Sequence, residues 1–210
     1  SSQQTILNWQ QFNIGSGATV NFQQPGSNAV ALNRVVGADP SAIYGSLNAN
    51  GQVFLVNPNG VLFGENARVD VGGLVASSMN LSDQNFLNRD YLFAGGTGSV
   101  LNKGEISAQY VALLAPEVTN VGIVTTRQGT TALAGGESVR LNITGNSLID
   151  VEVSRAEIDT LIENQHLIQA EGGNVIMSAQ SISGLLGQVV NSGDIKANGI
   201  QNDGGVIRLV

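Results

Sequence analysis

The chain has 210 residues, 42% of them hydrophobic, which is enough for a sizeable core in one large domain or two small ones. Nine Lys and Arg against sixteen Asp and Glu give a net charge of -7, so a basic surface for nucleic acid or anionic lipid is disfavoured. There is no cysteine and a single histidine, His166, which removes disulfides, thiol nucleophiles and thiolate or His-rich metal sites.

The chain opens with Ser1-Ser2-Gln3-Gln4, without the basic start and apolar stretch of a signal peptide, and no apolar run approaches the ~18 residues that span a bilayer. It reads as a mature fragment with no membrane insertion of its own. In Ile6-Leu7-Asn8-Trp9-Gln10-Gln11-Phe12-Asn13-Ile14 the aromatics Trp9 and Phe12 are flanked by aliphatics. That places them as a cap over one end of the core, with a sugar-stacking face as the alternative.

Short strands at period two follow, such as Gln52-Val53-Phe54-Leu55-Val56 and Ala67-Arg68-Val69-Asp70-Val71, each closed by Gly or Asn. Between two of them lies Asn57-Pro58-Asn59-Gly60. Each residue has a turn role: Pro58 fixes φ at the second position, Asn59 tolerates unusual backbone angles, Gly60 ends the turn and the Asn57 side chain bonds back to the backbone. Gly95-Gly96-Thr97-Gly98-Ser99 reads as a flexible connector.

From residue 102 the chain repeats itself. Asn102-Lys103-Gly104-Glu105-Ile106-Ser107-Ala108 matches Asn191-Ser192-Gly193-Asp194-Ile195-Lys196-Ala197 nearly position for position, with degenerate copies starting at Asn120, Asn146 and Asn164. A second unit, Gly172-Gly173-Asn174-Val175-Ile176-Met177, is echoed by Gly204-Gly205-Val206-Ile207-Arg208-Leu209 and more weakly by Thr130-Thr131-Ala132-Leu133-Ala134. Imperfect repeats of strands and Gly/Asn turns are what a parallel β-solenoid requires, because each coil buries its face against the next. The rival, an all-β sandwich, does not require a recurring Asn-x-Gly-x-Ile-x-Ala unit. At about 20 to 24 residues per coil the chain gives roughly nine coils stacked ~4.8 Å apart. One segment breaks the pattern: Ser154-Arg155-Ala156-Glu157 reads as a capping box, and Ile158, Leu161 and Ile162 recur at helical spacing. A short helical insertion over 155–163 is therefore expected at a corner of the solenoid.

For catalysis, β-solenoids that cleave polysaccharides need carboxylates on one face. Asp70, Asp150 and Glu152 alternate with apolar residues and point outward, as solvated surface acids do. Glu157 is explained by capping, Asp159 lies on the same segment, and His166 takes the place of Gly in a repeat copy. No nucleophile elbow or phosphate loop is present. No catalytic residue, metal ligand or cofactor is assigned.

Three stretches carry a resemblance: residues 6–15, then Val30-Ala31-Leu32-Asn33-Arg34-Val35, then Gly51-Gln52 through Asn57-Pro58-Asn59-Gly60 to Val61-Leu62-Phe63-Gly64, continued by Gly72-Gly73-Leu74-Val75-Ala76-Ser77. In order and spacing they resemble the secretion domain of two-partner secretion exoproteins of the filamentous haemagglutinin type, and the match continues more loosely over 100–210. The resemblance implies a right-handed parallel β-helix, all-β, forming one secretion-signal domain over 1–210, with the family motifs in 1–100 and further coils in 101–210. It also implies that the signal peptide and about thirty residues forming the first strands and cap precede Ser1, and that Val206-Ile207-Arg208-Leu209-Val210 ends the chain on an exposed coil.

By the same resemblance the domain is an address, read in the periplasm of a Gram-negative bacterium by the POTRA domains of an outer-membrane transporter. That transporter carries a large adhesin, haemolysin or contact-dependent inhibition toxin to the cell surface. The Asn57-Pro58-Asn59-Gly60 motif is implied to govern secretion competence, and Trp9, Phe12, Asn33 and Arg34 mark a partner or cap region. The isolated domain is expected to be a monomer without enzyme activity. A carbohydrate-active enzyme and a directly ligand-binding adhesin module are the alternatives.

Overall fold

Each apolar burst becomes a strand, each Gly or Asn closure a corner, and the strands stack in parallel coils. The computed structural model describes residues 3–156, 158–182 and 185–197, together with the backbone of 206–209. In chain order the first coil holds β1 (Gln4–Trp9) and β2 (Thr19–Phe22), the second β3 (Val30–Val35), β4 (Ser41–Ile43) and β5 (Ser46–Ala49), and the third β6 (Gln52–Val56), β7 (Val61–Phe63) and β8 (Arg68–Asp70). The fourth begins with β9 (Gly73–Ser77), leaves the coil for β10 (Asn80–Leu81), α1 (Asp83–Leu87) and β11 (Tyr91–Ala94), and returns as β12 (Ser99–Asn102) and β13 (Glu105–Ala108). The fifth is β14 (Val111–Leu114), β15 (Glu117–Asn120) and β16 (Ile123–Arg127). The sixth is β17 (Thr131–Gly135), an excursion through β18 (Ser138–Thr144) and β19 (Ser147–Val153), then β20 (Thr160–Asn164) and β21 (Leu167–Glu171). β22 (Asn174–Ala179), β23 (Gly187–Asn191) and β24 (Asp194–Lys196) form the seventh, and β25 (Val206–Leu209) starts an eighth.

The coils make a parallel β-helix with three sheets. Sheet A runs β1-β3-β6-β9-β14-β17-β22-β25, sheet B runs β4-β7-β12-β15-β20-β23 and sheet C runs β2-β5-β8-β13-β16-β21-β24. Among the described residues sheet A therefore counts eight rungs where roughly nine coils were expected. The difference lies in the two excursions, which spend residues on a separate antiparallel sheet, β10-β11-β18-β19. The repeats at Asn102, Asn120, Asn164 and Asn191 fall in register on sheet B, and Asn174 faces Val206 as the second repeat unit implies. The copy at Asn146 is not a coil: residues 145–146 turn the β18–β19 hairpin, whose strands pair antiparallel.

Inside the helix, aliphatics stack rung upon rung, as in the sheet C column Leu47, Val69, Ile106, Val124, Ile168 and Ile195. At the corner after sheet B the column is polar: Asn102 Nδ2 donates to Asn120 Oδ1, Asn120 Nδ2 to Asn164 Oδ1 and Asn164 Nδ2 to Asn191 Oδ1, each at 2.8 Å. The same amides hold the corner backbone, Asn102 Oδ1 accepting from Gly104 N and Asn120 Nδ2 donating to Gly122 O. Buried polar groups must be paired, and here neighbouring rungs pair each other.

A second core lies outside the coil. Phe54, Phe86, Tyr91 and Phe93 pack together with ring centroids 5.1 to 6.3 Å apart, and Val75, Met79, Ala112, Leu114, Val139 and Leu141 join them. The antiparallel sheet and α1 thus cover the outer face of sheet A. β6, β9, β14 and β17 are buried on both faces, which is why they read as unbroken apolar runs. The helix α1 is capped by Ser82, whose Oγ accepts from Asn85 N at 3.1 Å, and it buries Phe86.

The helix expected over 155–163 is not formed among the described residues, and Glu157 lies outside them. Residues 160–164 are strand β20, bonded to β15 and β23 on its two sides. Ser154, the expected cap, closes the β18–β19 hairpin instead, its Oγ accepting from Ser138 N at 2.9 Å. A nine-residue helix pays a nucleation cost for few internal bonds, whereas β20 gains ladder bonds on both edges. Thr160, Ile162 and Asn164 face inward while Leu161 and Glu163 are half-exposed, so strand period two overrides the helical spacing.

Tyr110 ties the outer hairpin to the coil. Its hydroxyl donates to Gln52 Oε1 at 2.7 Å, and Gln52 Nε2 donates to the Gly145 carbonyl at 2.7 Å. Burial pushes the Tyr110 phenol well above its usual pKa of 10, and nearby Tyr91 adds to the rise. An unfolded tyrosine ionises near pH 10 and a folded Tyr110 does not, so this contribution is whole below about pH 10 and is lost as pH climbs above it. The urea midpoint is expected to fall above about pH 10, and Tyr110→Phe to flatten part of that slope. At neutral pH the variant is expected to cost about 1 to 3 kcal/mol for the orphaned Gln52 oxygen, read from urea unfolding followed by circular dichroism.

Candidate functional site

The turn Asn57-Pro58-Asn59-Gly60 sits at the corner from sheet A to sheet B, and its bonds run well beyond itself. Gly60 N donates to Asn57 O at 2.9 Å, closing the turn. The Asn57 side chain is fully buried. Its Nδ2 donates to Asp39 O at 3.0 Å and Ser41 Oγ at 3.1 Å, while its Oδ1 accepts from Asn59 N at 3.0 Å. Asn59 is exposed, yet its Nδ2 reaches Gly37 O at 2.9 Å. The turn is thus tied back to the preceding coil through residues 37–41.

It is also tied forward. Asn57 N donates to Ser77 O at 2.9 Å and Gly98 N to Pro58 O at 3.1 Å. Gly60 has φ 117°, a conformation other residues avoid, and a side chain there would meet Ser99 O. A side chain at Gly98 would strike Gly60 N, and one at Gly96 would strike Ser78 O. The 95–99 segment is therefore a close crossing, not a flexible connector, and Gly96 and Gly98 are where backbone passes backbone, while Gly95 takes a positive φ in open space. Sequence reading did not single out Asp39, Ser41 or Gly98 as partners of the turn, because the separations of 16 to 40 residues become contacts only once the coil period is known.

Trp9, Phe12, Asn33 and Arg34 lie together at the first coils. Trp9 Nε1 donates to Asn33 Oδ1 at 3.1 Å, and the Trp9 and Phe12 rings meet edge to face at 5.6 Å. Phe12 is buried in the core while Trp9 keeps 37% of its surface exposed. Asn33 is fully buried and donates to Ala31 O at 3.3 Å. Arg34 points the other way, toward the outer sheet, where it pairs with Asp83 at 2.5 Å and donates to Leu81 O at 2.6 Å. Trp9, Phe12 and Asn33 make one cluster over the first rung, and Arg34 fastens α1.

Of the candidate acids, Asp150 and Glu152 stand two residues apart on one face of β19 and line one shallow pocket, and the others lie elsewhere. Asp70 is on sheet C, 4.0 Å from Arg127, and Glu152 is on β19, 4.0 Å from Arg140. Asp150 pairs with Asn142 across the hairpin register. Asp159 Oδ1 accepts from Leu186 N at 2.8 Å. His166 is exposed at a corner, where its carbonyl accepts from Asn164 Nδ2 and Asp194 N. Among the described residues no three of His, Asp and Glu gather closely enough to hold a metal, and no helix is long and apolar enough to cross a membrane.

The comparisons agree with this geometry. The chain is 33% identical over 188 residues to a heme/hemopexin-binding protein of Haemophilus influenzae, covering 84% of this chain and 20% of that protein. A second protein of the same description and species is 41% identical over 96 residues, 46% of this chain and 10% of its own length. The chain thus spans about a fifth or less of the curated relatives it matches. Among solved structures, the HMW1 secretion domain of Haemophilus influenzae superposes with a TM-score of 0.86 at 27% identity, over 100% of this chain and 58% of that one. The filamentous hemagglutinin secretion domain shares the fold, with a TM-score of 0.51 at 13% identity over 97% of this chain and 89% of that one. Residues 1–210 match the family of the TPS secretion domain from end to end, and the chain belongs to that family: it is the secretion domain of a two-partner secreted protein of the kind Gram-negative bacteria export.

Proposed function

We propose that this domain is the address by which a dedicated outer-membrane transporter selects its exoprotein. The transporter reads it through POTRA domains in the periplasm, and the same coils start β-helix folding at the cell surface. The observation that carries the reading is the end-to-end match to the secretion-domain family together with a fold made of stacked coils. Contacts between successive coils let such a chain cross a membrane extended and fold as it emerges, so that folding outside biases movement outward without ATP. The absence of cysteine suits that route, since no premature disulfide can form. An adhesin, haemolysin or toxin activity would then belong to sequence beyond this domain, as the greater length of the relatives suggests.

The test is export of the full exoprotein from cells with and without its barrel partner, alongside binding of the purified domain to the purified periplasmic part of that partner. Surface delivery that needs the barrel, and saturable binding, are expected. Delivery that persists without the barrel, or absence of binding, would overturn the reading.

A further inference from the structure

The three faces of the β-helix differ in what they offer a partner. Sheet A is covered by the antiparallel sheet. Sheet C carries charges of both signs, with Arg68 paired to Glu105 at 2.5 Å and Arg127 to Asp70 at 4.0 Å, and Glu171, Asp194 and Lys196 further along. Sheet B is uncovered, and its six strands contain no Lys or Arg. Its outward positions Ala42, Leu62 and Leu101 stand one above the other in register and are half-exposed. Further along the face stand Glu117 and Glu163, neither of which takes part in an ion pair among the described residues.

A groove of about 650 Å³ crosses this face from Asn59 of the turn, past Glu117, Asp159 and Leu161, to Leu186. Ile158 and Leu186 border it with 44% and 70% of their surfaces exposed. Exposed aliphatics gathered in a groove mark an interaction site more often than chance surface, and carboxylates without cations across from them select the sign of the occupant.

We propose that sheet B is the docking face for the transporter, and that its occupant is a segment of the transporter's periplasmic region that is aliphatic and carries Lys or Arg. This rests on the reading of the domain as a transporter address and names the surface it uses. The aliphatic side chains of the partner would lie along Leu62, Leu101 and Leu161, with its cations at Glu117 and Glu163. The exposed Asn59 at one end of the groove puts the turn beside the partner while buried Asn57 holds the corner in shape.

The experiment titrates the purified domain into the purified periplasmic part of its transporter at low and at high salt. Three forms are compared: the unchanged domain, Glu117→Lys with Glu163→Lys on sheet B, and Glu171→Lys with Asp194→Lys on sheet C. Both doubles change the net charge alike. The sheet B double is expected to weaken binding by about tenfold or more at low salt, with an unchanged melting temperature, and the sheet C double by less than about twofold. Equal binding by both doubles would overturn the docking face and leave the secretion reading intact. No binding by the unchanged domain would overturn that reading and the face with it. Sedimentation showing that sheet B instead pairs two copies of this chain, with pairing lost in the sheet B double and transporter binding kept, would also overturn it.

Discussion

Asn57→Ala combined with Asn59→Ala is expected to stop export of the exoprotein and to lower the melting temperature of the domain by about 5 to 15 °C. The physical reason is the buried carboxamide of Asn57. Its loss leaves Asp39 O, Ser41 Oγ and Asn59 N without their side-chain partner, and each buried group left unpaired costs about 1 to 3 kcal/mol. The Asn59 change removes the bond to Gly37 O from an exposed position, so its own share should be near the low end. Asn57→Ala alone should therefore give most of the melting shift and Asn59→Ala little of it. Melting, export and partner affinity measured on both singles and the double separate a turn that acts by shape from one that acts by touch. Loss of affinity in Asn59→Ala with unchanged melting would make Asn59 a contact. Normal export and normal melting in the double would refute the expectation altogether.

The second large effect concerns the asparagine column. Asn120 sits in its middle, fully buried, accepting from Asn102 and donating to Asn164. Asn120→Ala strands a donor above and an acceptor below, and is expected to cost about 3 to 5 kcal/mol in urea unfolding, because networks in low dielectric lose more than one bond at a time. Asn191 is exposed and accepts from Asn164 while donating to Gly193 O, and Asn191→Ala should cost about 1 kcal/mol or less. Equal losses at the two positions would mean that the column does not act as a connected chain.

Much of this architecture was legible in the residues. The Asn-x-Gly corners at 102, 120 and 191, and Asn164 with His166 in the place of Gly, give the register of sheet B because the period of a coil is written wherever an inward carboxamide recurs. The tight turn at 57–60 was legible for the same reason, each residue having a local backbone role. What was hidden is everything that depends on the outer face of sheet A. The runs Val53-Phe54-Leu55-Val56 and Val111-Ala112-Leu113-Leu114 lack polar alternation, which signals burial on both sides, but a sequence does not say what covers the second side. The same cover absorbed Asn146 into a hairpin turn and Ser154 into its closure, so two local signals, a repeat copy and a helix cap, were outcompeted by partners distant in the chain. α1 carries only one buried residue, Phe86, too few to show a helical stripe.

The covering sheet also imposes an order in time. β11 finds its partner in β18, and between them along the chain lie β12 to β17, the rest of one coil, all of the next and the first strand of a third. In a chain that folds from its N-terminal end, Phe54 meets Phe86, Tyr91 and Phe93 as the first excursion forms, but one edge of β11 stays open until residues 138–153 arrive. Up to that moment each added coil can come apart at small loss. When the hairpin closes, it buckles the earlier coils and the later ones into a single body, and the step behaves as a latch that turns a reversible sequence of additions into a committed one.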